Sequence, residues 1–290
     1  PLLTNNGISM FVGNVVFNKL VRPNSDGELE SDLAKSWSVS PGGLVYTFHL
    51  RKGVRFHDGV EFTSEDVLFT YQLIKDARTG SPYQAGMSGV ATFSVPDRYT
   101  FKVILEAPQA PFINEMTREI IPKHLYQGTD IHTNPFNKNP IGTGPFKFKE
   151  SAAANQITLE ANQDYFEGRP YLDEVILKYY RNNADVWSAL MRQDVDLMYV
   201  LSIEDYELTK KDPYFKTYAT PVADYYVVSY NLNDPIMANI KIRRAIAHAV
   251  NRQSIIDKVE KGYGIESIGP FFKTSWAFNP RVKPIVYDPA

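Results

Sequence analysis

The chain has 290 residues, of which 43% are hydrophobic and 22% charged, so it can bury the core of one large or two modest globular domains. Its 31 lysines and arginines nearly balance 33 aspartates and glutamates, and the net charge of −2 gives no general attraction for nucleic acid or anionic lipid. No stretch approaches the roughly 18 consecutive apolar residues of a membrane helix. We therefore expect neither nucleic-acid binding nor direct insertion of this segment into a membrane.

The chain contains no cysteine, which excludes disulfide bonds, thiolate metal sites and cysteine nucleophiles. This composition suits an oxidising compartment without identifying one. Aromatic residues make up 13% of the chain. We interpret most of them as core packing and some as candidates for a recognition surface, because Tyr and Trp combine a large apolar face with a polar tip.

The first third of the sequence alternates between helical and strand-like patterns. Apolar residues at helical spacing predict an amphipathic helix over residues 10–21. A second predicted helix starts at Thr63, with Asp66 three positions later as in a helix N-cap, and continues to about residue 76. Strict alternation of apolar and polar residues predicts strands over residues 45–50 and 99–105. Residues 79–91, rich in Gly and Ser, are predicted to form a loop.

The clearest change in composition is a segment dense in Asn, Pro and Gly, residues 133–145, which we interpret as a subdomain boundary. In this turn, Gly142 or Gly144 is expected to take a positive φ angle. Beyond it, strands alternate with helices, which is typical of an α/β sheet. The predicted strands cover residues 157–161, 175–180, 195–199 and 225–231. The predicted helices cover residues 183–192, 203–210, 241–250 and 252–260.

The sequence lacks most motifs of enzyme chemistry. Gly142-Thr143-Gly144 would need a third glycine at Lys147 to form a dinucleotide loop, and Pro145 indicates a turn into a strand instead. The five histidines are scattered, and neither a G-x-S-x-G elbow nor a P-loop is present. Glycosidase chemistry stays open, because its two carboxylates need only be near in space. We expect no catalytic residues, no metal site and no cofactor.

Seven segments, read in order, resemble those of one protein family. They are residues 33–37 (LAKSW), 46–51 (YTFHLR), 54–59 (VRFHDG), 62–67 (FTSEDV), 139–146 (NPIGTGPF), 194–196 (DVD) and 242–252 (IRRAIAHAVNR). Together they resemble extracellular solute-binding protein family 5, the dipeptide-, oligopeptide- and nickel-binding proteins of ABC transporters. The resemblance extends over nearly the whole chain.

The resemblance implies an α/β, periplasmic-binding-protein-like lobe of type II, with a mixed sheet and flanking helices plus an extra α+β subdomain. It implies that residues 1–22 and 145–258 form the main N-terminal lobe and that residues 23–144 form the extra subdomain. Residues 259–290 would be the hinge crossing and the start of lobe two. Since the family continues into a second lobe and a returning segment, we expect a chain truncated after lobe one and the hinge.

By the same resemblance, the chain is the substrate-binding component of an ABC importer. It would capture oligopeptide or dipeptide ligands in a cleft between two lobes and deliver them to the permease subunits. The expected location is periplasmic or at the cell surface, with a lipid anchor in Gram-positive bacteria. The candidate ligand contacts, matched by their spacing from the family's motifs, are Met10, Tyr83, Met116, Arg118, Tyr225 and Tyr226.

Three of these roles, those of Met10, Met116 and Arg118, have an alternative. Met10 and Met116 suit apolar packing equally well. Arg118 either binds a ligand carboxylate through its two-pronged guanidinium or forms a salt bridge with Glu115 or Glu119. At the level of the protein, the alternatives are an oligosaccharide or nickel-chelate receptor of the same family, a hydrolase, and a purely structural interaction module.

Overall fold

The structure is a computed structural model that describes residues 2–3, 7–149, 155–219, 226–269, 271 and 278–289. It divides into two compact units, Pro1–Tyr180 and Arg181–Ala290. Along the described residues, no helix combines the length and the apolar character needed to cross a bilayer. The lobe and subdomain boundaries expected after residues 22, 144 and 258 stay predictions.

The first helix, α1, covers Gly7–Val16 and ends earlier than the predicted range of 10–21. After Val16 the backbone forms bonds with distant residues; for example, the Ala34 N–H donates to the Leu20 oxygen at 3.0 Å. Because such bonds replace the helical pattern, the chain leaves the helix although the apolar spacing continues to Leu20. Both Val16 and Leu20 are nevertheless completely buried.

A short hairpin follows α1. Its strands, β1 (Val21–Pro23) and β2 (Leu29–Ser31), pair antiparallel. Gly27 takes a φ of 80° in the turn between them, a conformation that glycine adopts without steric cost. Glycine at this position therefore allows the tight reversal between the two strands.

A four-stranded antiparallel sheet is the centre of the first unit, with the strand order β3-β4-β6-β5. Its strands are β3 (Ala34–Val39), β4 (Val45–Leu50), β5 (Val90–Asp97) and β6 (Thr100–Leu105). Phe48 and Phe101 lie directly opposite each other in register and are completely buried. The predictions of β4 and β6 are confirmed. The sequence does not predict β3 and β5, because burial along these two strands does not alternate.

The helix α2 covers Ser64–Lys75, as predicted, and packs against this sheet. The Asp66 carboxylate accepts hydrogen bonds from the backbone N–H of Thr63 at 2.9 Å and of Lys123 at 2.9 Å. Further along the helix, the buried Tyr71 ring stacks on Phe101 with the centroids 5.8 Å apart. One capping carboxylate thus fixes the start of α2 and a distant segment together.

Between α2 and β5, where the sequence predicts a loop, the chain forms two 3-10 turns, Ala77–Thr79 and Gln84–Met87. Two residues fix this segment to the core: Met87 is completely buried, and the buried Ser81 hydroxyl donates to the Leu2 oxygen at 2.8 Å. The remaining short elements of this part are α3 (Lys123–Tyr126) and the 3-10 turns Ala110–Met116 and Pro135–Asn137.

A three-stranded antiparallel sheet with the order β7-β8-β9 completes the first unit. Its strands are β7 (Phe146–Lys149), β8 (Gln156–Ala161) and β9 (Glu174–Lys178). β7 confirms that Pro145 leads into a strand, and the strands predicted over 157–161 and 175–180 correspond to β8 and β9. Within the described residues the first unit therefore has three sheets, each antiparallel.

The expectation of a positive φ at Gly142 or Gly144 is wrong, since neither residue adopts one. Both glycines lie instead against the last turn of α1. A Cβ atom at Gly142 would overlap the Val16 carbonyl oxygen, and one at Gly144 would overlap the carbonyl oxygens of Val15 and Val16. The Gly144 N–H donates to the Val16 oxygen at 2.8 Å. Glycine is required here because two backbone segments approach closely.

A buried polar cluster joins this crossing to the hairpin region. Asn18 donates to Asp32 at 2.8 Å and accepts from the Thr143 hydroxyl at 3.0 Å. On the other side of the crossing, His57 Nε2 donates to the Gly144 oxygen at 3.0 Å and its Nδ1 accepts from the Gly142 N–H at 3.3 Å. Since buried polar groups are stabilised only when they are hydrogen-bonded, the cluster fixes the crossing in one arrangement.

The second unit contains five helices within its described residues. They are α4 (Asn183–Met191), α5 (Ile203–Thr209), α6 (Pro235–Ala238), α7 (Ile240–Ala249) and α8 (Arg252–Lys258). Four of them confirm predicted helices, and α6 is additional. The strand predicted over 195–199 is wrong, as is the described part, 226–231, of the strand predicted over 225–231, because both runs lack strand pairing in the structure.

Candidate functional site

Arg118 and Tyr83 form the centre of the candidate site in the first unit. The guanidinium carbon of Arg118 lies 4.2 Å from the centroid of the Tyr83 ring, within the range of a cation–π contact. Burial of the ring raises the pKa of the Tyr83 hydroxyl, and the Glu119 carboxylate adds to this effect. The Tyr83 hydroxyl therefore stays protonated at physiological pH, and the neutral ring packs against one face of the Arg118 guanidinium.

The hydrogen bonds of the Arg118 guanidinium are incomplete. Its Nη2 lies 3.2 Å from Oε2 of Glu115. Its Nε is buried and has no hydrogen-bond partner among the residues that the structure describes. Nε and Nη2 form one edge of the guanidinium, and that edge matches the two oxygens of a carboxylate. Glu115 therefore uses half of an edge that could hold a carboxylate with two bonds.

A second ion pair connects this centre to α1. Lys19 Nζ lies 3.6 Å from Oε1 of Glu119 and donates to Asn14 Oδ1 at 2.7 Å. Gly13 faces the same carboxylate, since a Cβ at this position would be 3.5 Å from the Glu119 oxygen. Met10 is one turn earlier on α1 and is 48% exposed. The helix thus borders the charged cluster with small and polar groups.

The predicted contacts occupy different positions in the structure. Tyr83 and Arg118 are in direct contact. Met116 has no exposed surface, and Met10 is half exposed on α1. Tyr226 belongs to the second unit and is 92% exposed, whereas Tyr225 lies outside the described residues.

The sequence does not predict the participation of Lys19, Asn14 and Gly86. Lys19 and Glu119 are distant in the chain, and an isolated antiparallel β-bridge between their backbones brings their side chains together. Gly86 borders the Glu115 carboxylate so closely that a Cβ there would overlap it. No sequence pattern signals such contacts, because they depend on tertiary folding. The spacing of Glu115 and Arg118 by three residues is a local signal, and the salt bridge it indicates is formed.

Neither a cavity nor a metal-ligand cluster offers a second candidate for the ligand site among the described residues. A surface cavity of about 410 Å³ lies beside α2 and residues 126–132, and none of the predicted contacts lines it. Within the described part of the chain, no group of three His, Asp or Glu side chains lies close enough to hold a metal ion.

Comparisons with known proteins identify the family. The sequence profile of the bacterial extracellular solute-binding proteins, family 5 (middle region), matches residues 28–290. The chain is 33% identical over 289 residues to the oligopeptide-binding protein AppA of Bacillus subtilis, covering 96% of this chain and 52% of that protein. The chain belongs to the family 5 solute-binding proteins. It spans about half the length of the curated relatives it matches.

Two solved structures show the same fold. AppA from Bacillus subtilis in complex with a nonapeptide superimposes with a TM-score of 0.89 at 29% identity, over 99% of this chain and 58% of that one. NikZ from Campylobacter jejuni in complex with Ni(L-His) superimposes with a TM-score of 0.87, also at 29% identity, over 95% of this chain and 56% of that one. The predicted fold class, a periplasmic-binding-protein-like lobe of type II with a mixed sheet and flanking helices, is confirmed by this likeness. Among the described residues of this chain, the paired strands are antiparallel.

Proposed function

We propose that this chain is the ligand-recognising part of the substrate-binding component of an ABC importer, that its ligands are oligopeptides or dipeptides, and that it is not an enzyme. Family membership and the likeness to a nonapeptide-bound relative support the class of protein. The observation that carries the ligand chemistry is the half-used edge of Arg118 above Tyr83. A peptide supplies a terminal carboxylate for this edge of Arg118 and apolar side chains that can pack beside the Tyr83 ring.

In this proposal the ligand carboxylate bonds to the Nε and Nη2 edge of Arg118, and Tyr83 packs against the neighbouring part of the ligand. Met10, Tyr225 and Tyr226 supply further apolar contact, and Met116 contributes by packing beneath the site, because it has no exposed surface. A second lobe closing over the bound ligand would add contacts made only in the closed form and so shift the population towards it. The closed receptor, exported to the periplasm or the cell surface, would then dock on the permease subunits.

A nickel chelate is the second candidate ligand, and the likeness to the Ni(L-His)-bound relative favours it. The metal in such a ligand is cargo held by the chelator, so the protein needs no cluster of metal-ligating side chains. The free carboxylate of a chelating amino acid would meet the same edge of Arg118. Both candidates therefore predict that Arg118 recognises an anion.

Isothermal calorimetry with the receptor at the full length of its relatives tests the proposal. Replacing Tyr83 by Ala is expected to weaken peptide binding by about 1–3 kcal/mol, the usual cost of losing a buried aromatic contact. Arg118→Gln is expected to weaken binding of peptides with a free carboxylate but not of the corresponding amides. Tyr171→Ala, which removes a completely exposed ring, is the matched control and is expected to leave the affinity unchanged.

Unchanged affinity in both Tyr83→Ala and Arg118→Gln, with melting temperatures equal to that of the wild type, would contradict the proposed site. Mass spectrometry of the ligand that copurifies with the receptor separates the two candidate ligands. A peptide supports the first candidate, and a nickel–amino acid complex supports the second.

A further inference from the structure

Glu115 occupies the place on Arg118 where the proposed ligand would bind. Its Oε2 contacts Nη2 at 3.2 Å and leaves Nε, on the same edge, without a partner among the described residues. Both side chains are partly exposed to solvent, with relative side-chain accessibilities of 28% for Glu115 and 25% for Arg118. A single bond to a partly exposed carboxylate is weaker than the paired bonds that the edge can form.

The backbone and the side chain of Glu115 are held by different contacts. The Tyr71 hydroxyl donates to the Glu115 carbonyl oxygen at 3.4 Å, and the next residue, Met116, is completely buried. The side chain itself points to Gly86, where the absence of a Cβ provides the space that the carboxylate fills. A rotation about the side-chain bonds of Glu115 would free Arg118 while the backbone bond to Tyr71 stays in place.

The charges of the site are already balanced without a ligand. Glu119 is paired with Lys19 at 3.6 Å, and Glu115 is paired with Arg118. An incoming carboxylate would add an uncompensated negative charge to a partly buried site unless one resident carboxylate left its cation. Of the two, Glu115 is the one that contacts the half-used edge.

We propose that Glu115 is an internal competitor of the ligand, a displaceable carboxylate that holds Arg118 until a ligand carboxylate replaces it. This inference rests on the proposed function. It makes Glu115 a specificity-determining residue: a ligand must present an anion strong enough to displace it, and neutral ligands of the same shape gain nothing from Arg118.

The 290-residue chain allows a direct test by NMR, because weak binding of a small probe does not require a second lobe. N-acetylglycine is titrated while the Nε–H signal of Arg118 is followed, and N-acetylglycinamide serves as the neutral probe. The signal is assigned from its loss in Arg118→Gln. Glu115→Gln keeps the shape of the side chain and removes its charge, and is expected to tighten N-acetylglycine binding about two- to fivefold, the range of a partly exposed ion pair. Glu115→Ala is expected to change it in the same direction.

Glu119→Gln is the matched control, because it removes the same charge from the same cluster without freeing Arg118. An equal gain in Glu119→Gln and Glu115→Gln would show a general charge effect and overturn the inference. So would an unchanged affinity in Glu115→Gln while Arg118→Gln still abolishes binding, and that outcome leaves the proposed function intact. Binding that survives Arg118→Gln, or none in any variant, would instead contradict the proposed contact at Arg118.

Discussion

Asp32, which is buried, and His57, which is partly buried, respond to pH in opposite directions. Burial raises the pKa of Asp32 to about 6, against the bonds it accepts from Lys19 and Asn18. Burial lowers the pKa of His57 to about 4, against its bond to Gly144. For Asp32 the folded state binds protons more tightly than the unfolded state, so its contribution to stability falls as pH rises from about 4 to 6. For His57 the folded state binds protons less tightly, so its contribution falls as pH drops from 6.5 to about 4.

The pH-dependent contributions of Asp32 and His57 to the free energy of unfolding are therefore expected to cancel in the wild type. Replacing either residue is expected to reveal the contribution of the other. One pKa unit corresponds to about 1.4 kcal/mol, so each contribution is about 3 kcal/mol across this window. Relative to the wild type, Asp32→Asn is expected to gain stability from pH 4 to 6.5, and His57→Gln is expected to lose it. Urea unfolding of the three proteins at both pH values measures this. Parallel pH profiles for all three would contradict it.

Gly144 is expected to tolerate no side chain, because a Cβ would overlap the carbonyl oxygens of Val15 and Val16. Gly144→Ala should lower the free energy of unfolding by about 3 kcal/mol, the upper range for overpacking a core. Gly42→Ala is the matched control, since a Cβ there meets nothing within 4 Å, and it should change stability by less than about 0.5 kcal/mol. Thermal unfolding compares the two, and equal melting temperatures would refute the close-approach explanation.

At the scale of elements, the Asp66 carboxylate that caps α2 is expected to contribute to stability. Asp66 accepts backbone bonds from Thr63 and Lys123, and both donors would lose their partner in Asp66→Ala. The expected loss of stability is about 2 kcal/mol, as for a lost cap with a buried donor left unpaired. Glu65→Ala removes the neighbouring carboxylate, whose exposed pair with Lys123 Nζ is worth at most about 1 kcal/mol. Denaturant titration should rank the two variants in this order, and a reversed ranking would argue against the cap.

The elements that the sequence predicts are those whose signal is local. The start of α2 is visible because Thr63 and Asp66 are neighbours, and β4 and β6 are visible because one face of each is buried. The end of α1 is invisible, since it depends on bonds from residues far along the chain, such as Ala34 to Leu20. Residues 195–199 have the composition of a strand, but no strand pairs with them in the part of the chain that the structure describes. A strand without a partner has no ladder to stabilise it.

The candidate site also combines contacts that the local sequence predicts with contacts that depend on distant segments. The pairing of Glu115 with Arg118 is within reach of sequence reasoning because the two residues are three positions apart. Its contact with Tyr83, and the pairing of Lys19 with Glu119, join segments that only the fold brings together. The expectation that Tyr83 contacts the ligand depends on the family resemblance.

At the scale of the whole molecule, the two units differ in how much side chain they bury. In the described part of Arg181–Ala290, Ala189 and Thr209 are the only buried residues, whereas the first unit has an extensive apolar core. Local stability follows buried apolar contact. Amide hydrogens of α7 are therefore expected to exchange much faster than those of β4 in the isolated chain. Hydrogen-exchange mass spectrometry measures both, and equal protection would contradict the expectation.

The dependence of α1 on Gly144 also bears on the order in which the protein forms during translation. The last turn of α1 is completed by an N–H that leaves the ribosome on the order of ten seconds after the helix itself, at ordinary rates of synthesis. Residues 34–105 contain all the strands of the four-stranded sheet together with α2, and so can associate earlier. During this interval the last turn of α1 would lack the bond from Gly144, while the four-stranded sheet can already form. The part of α1 that borders the candidate site would therefore be among the last parts of the first unit to reach its final structure.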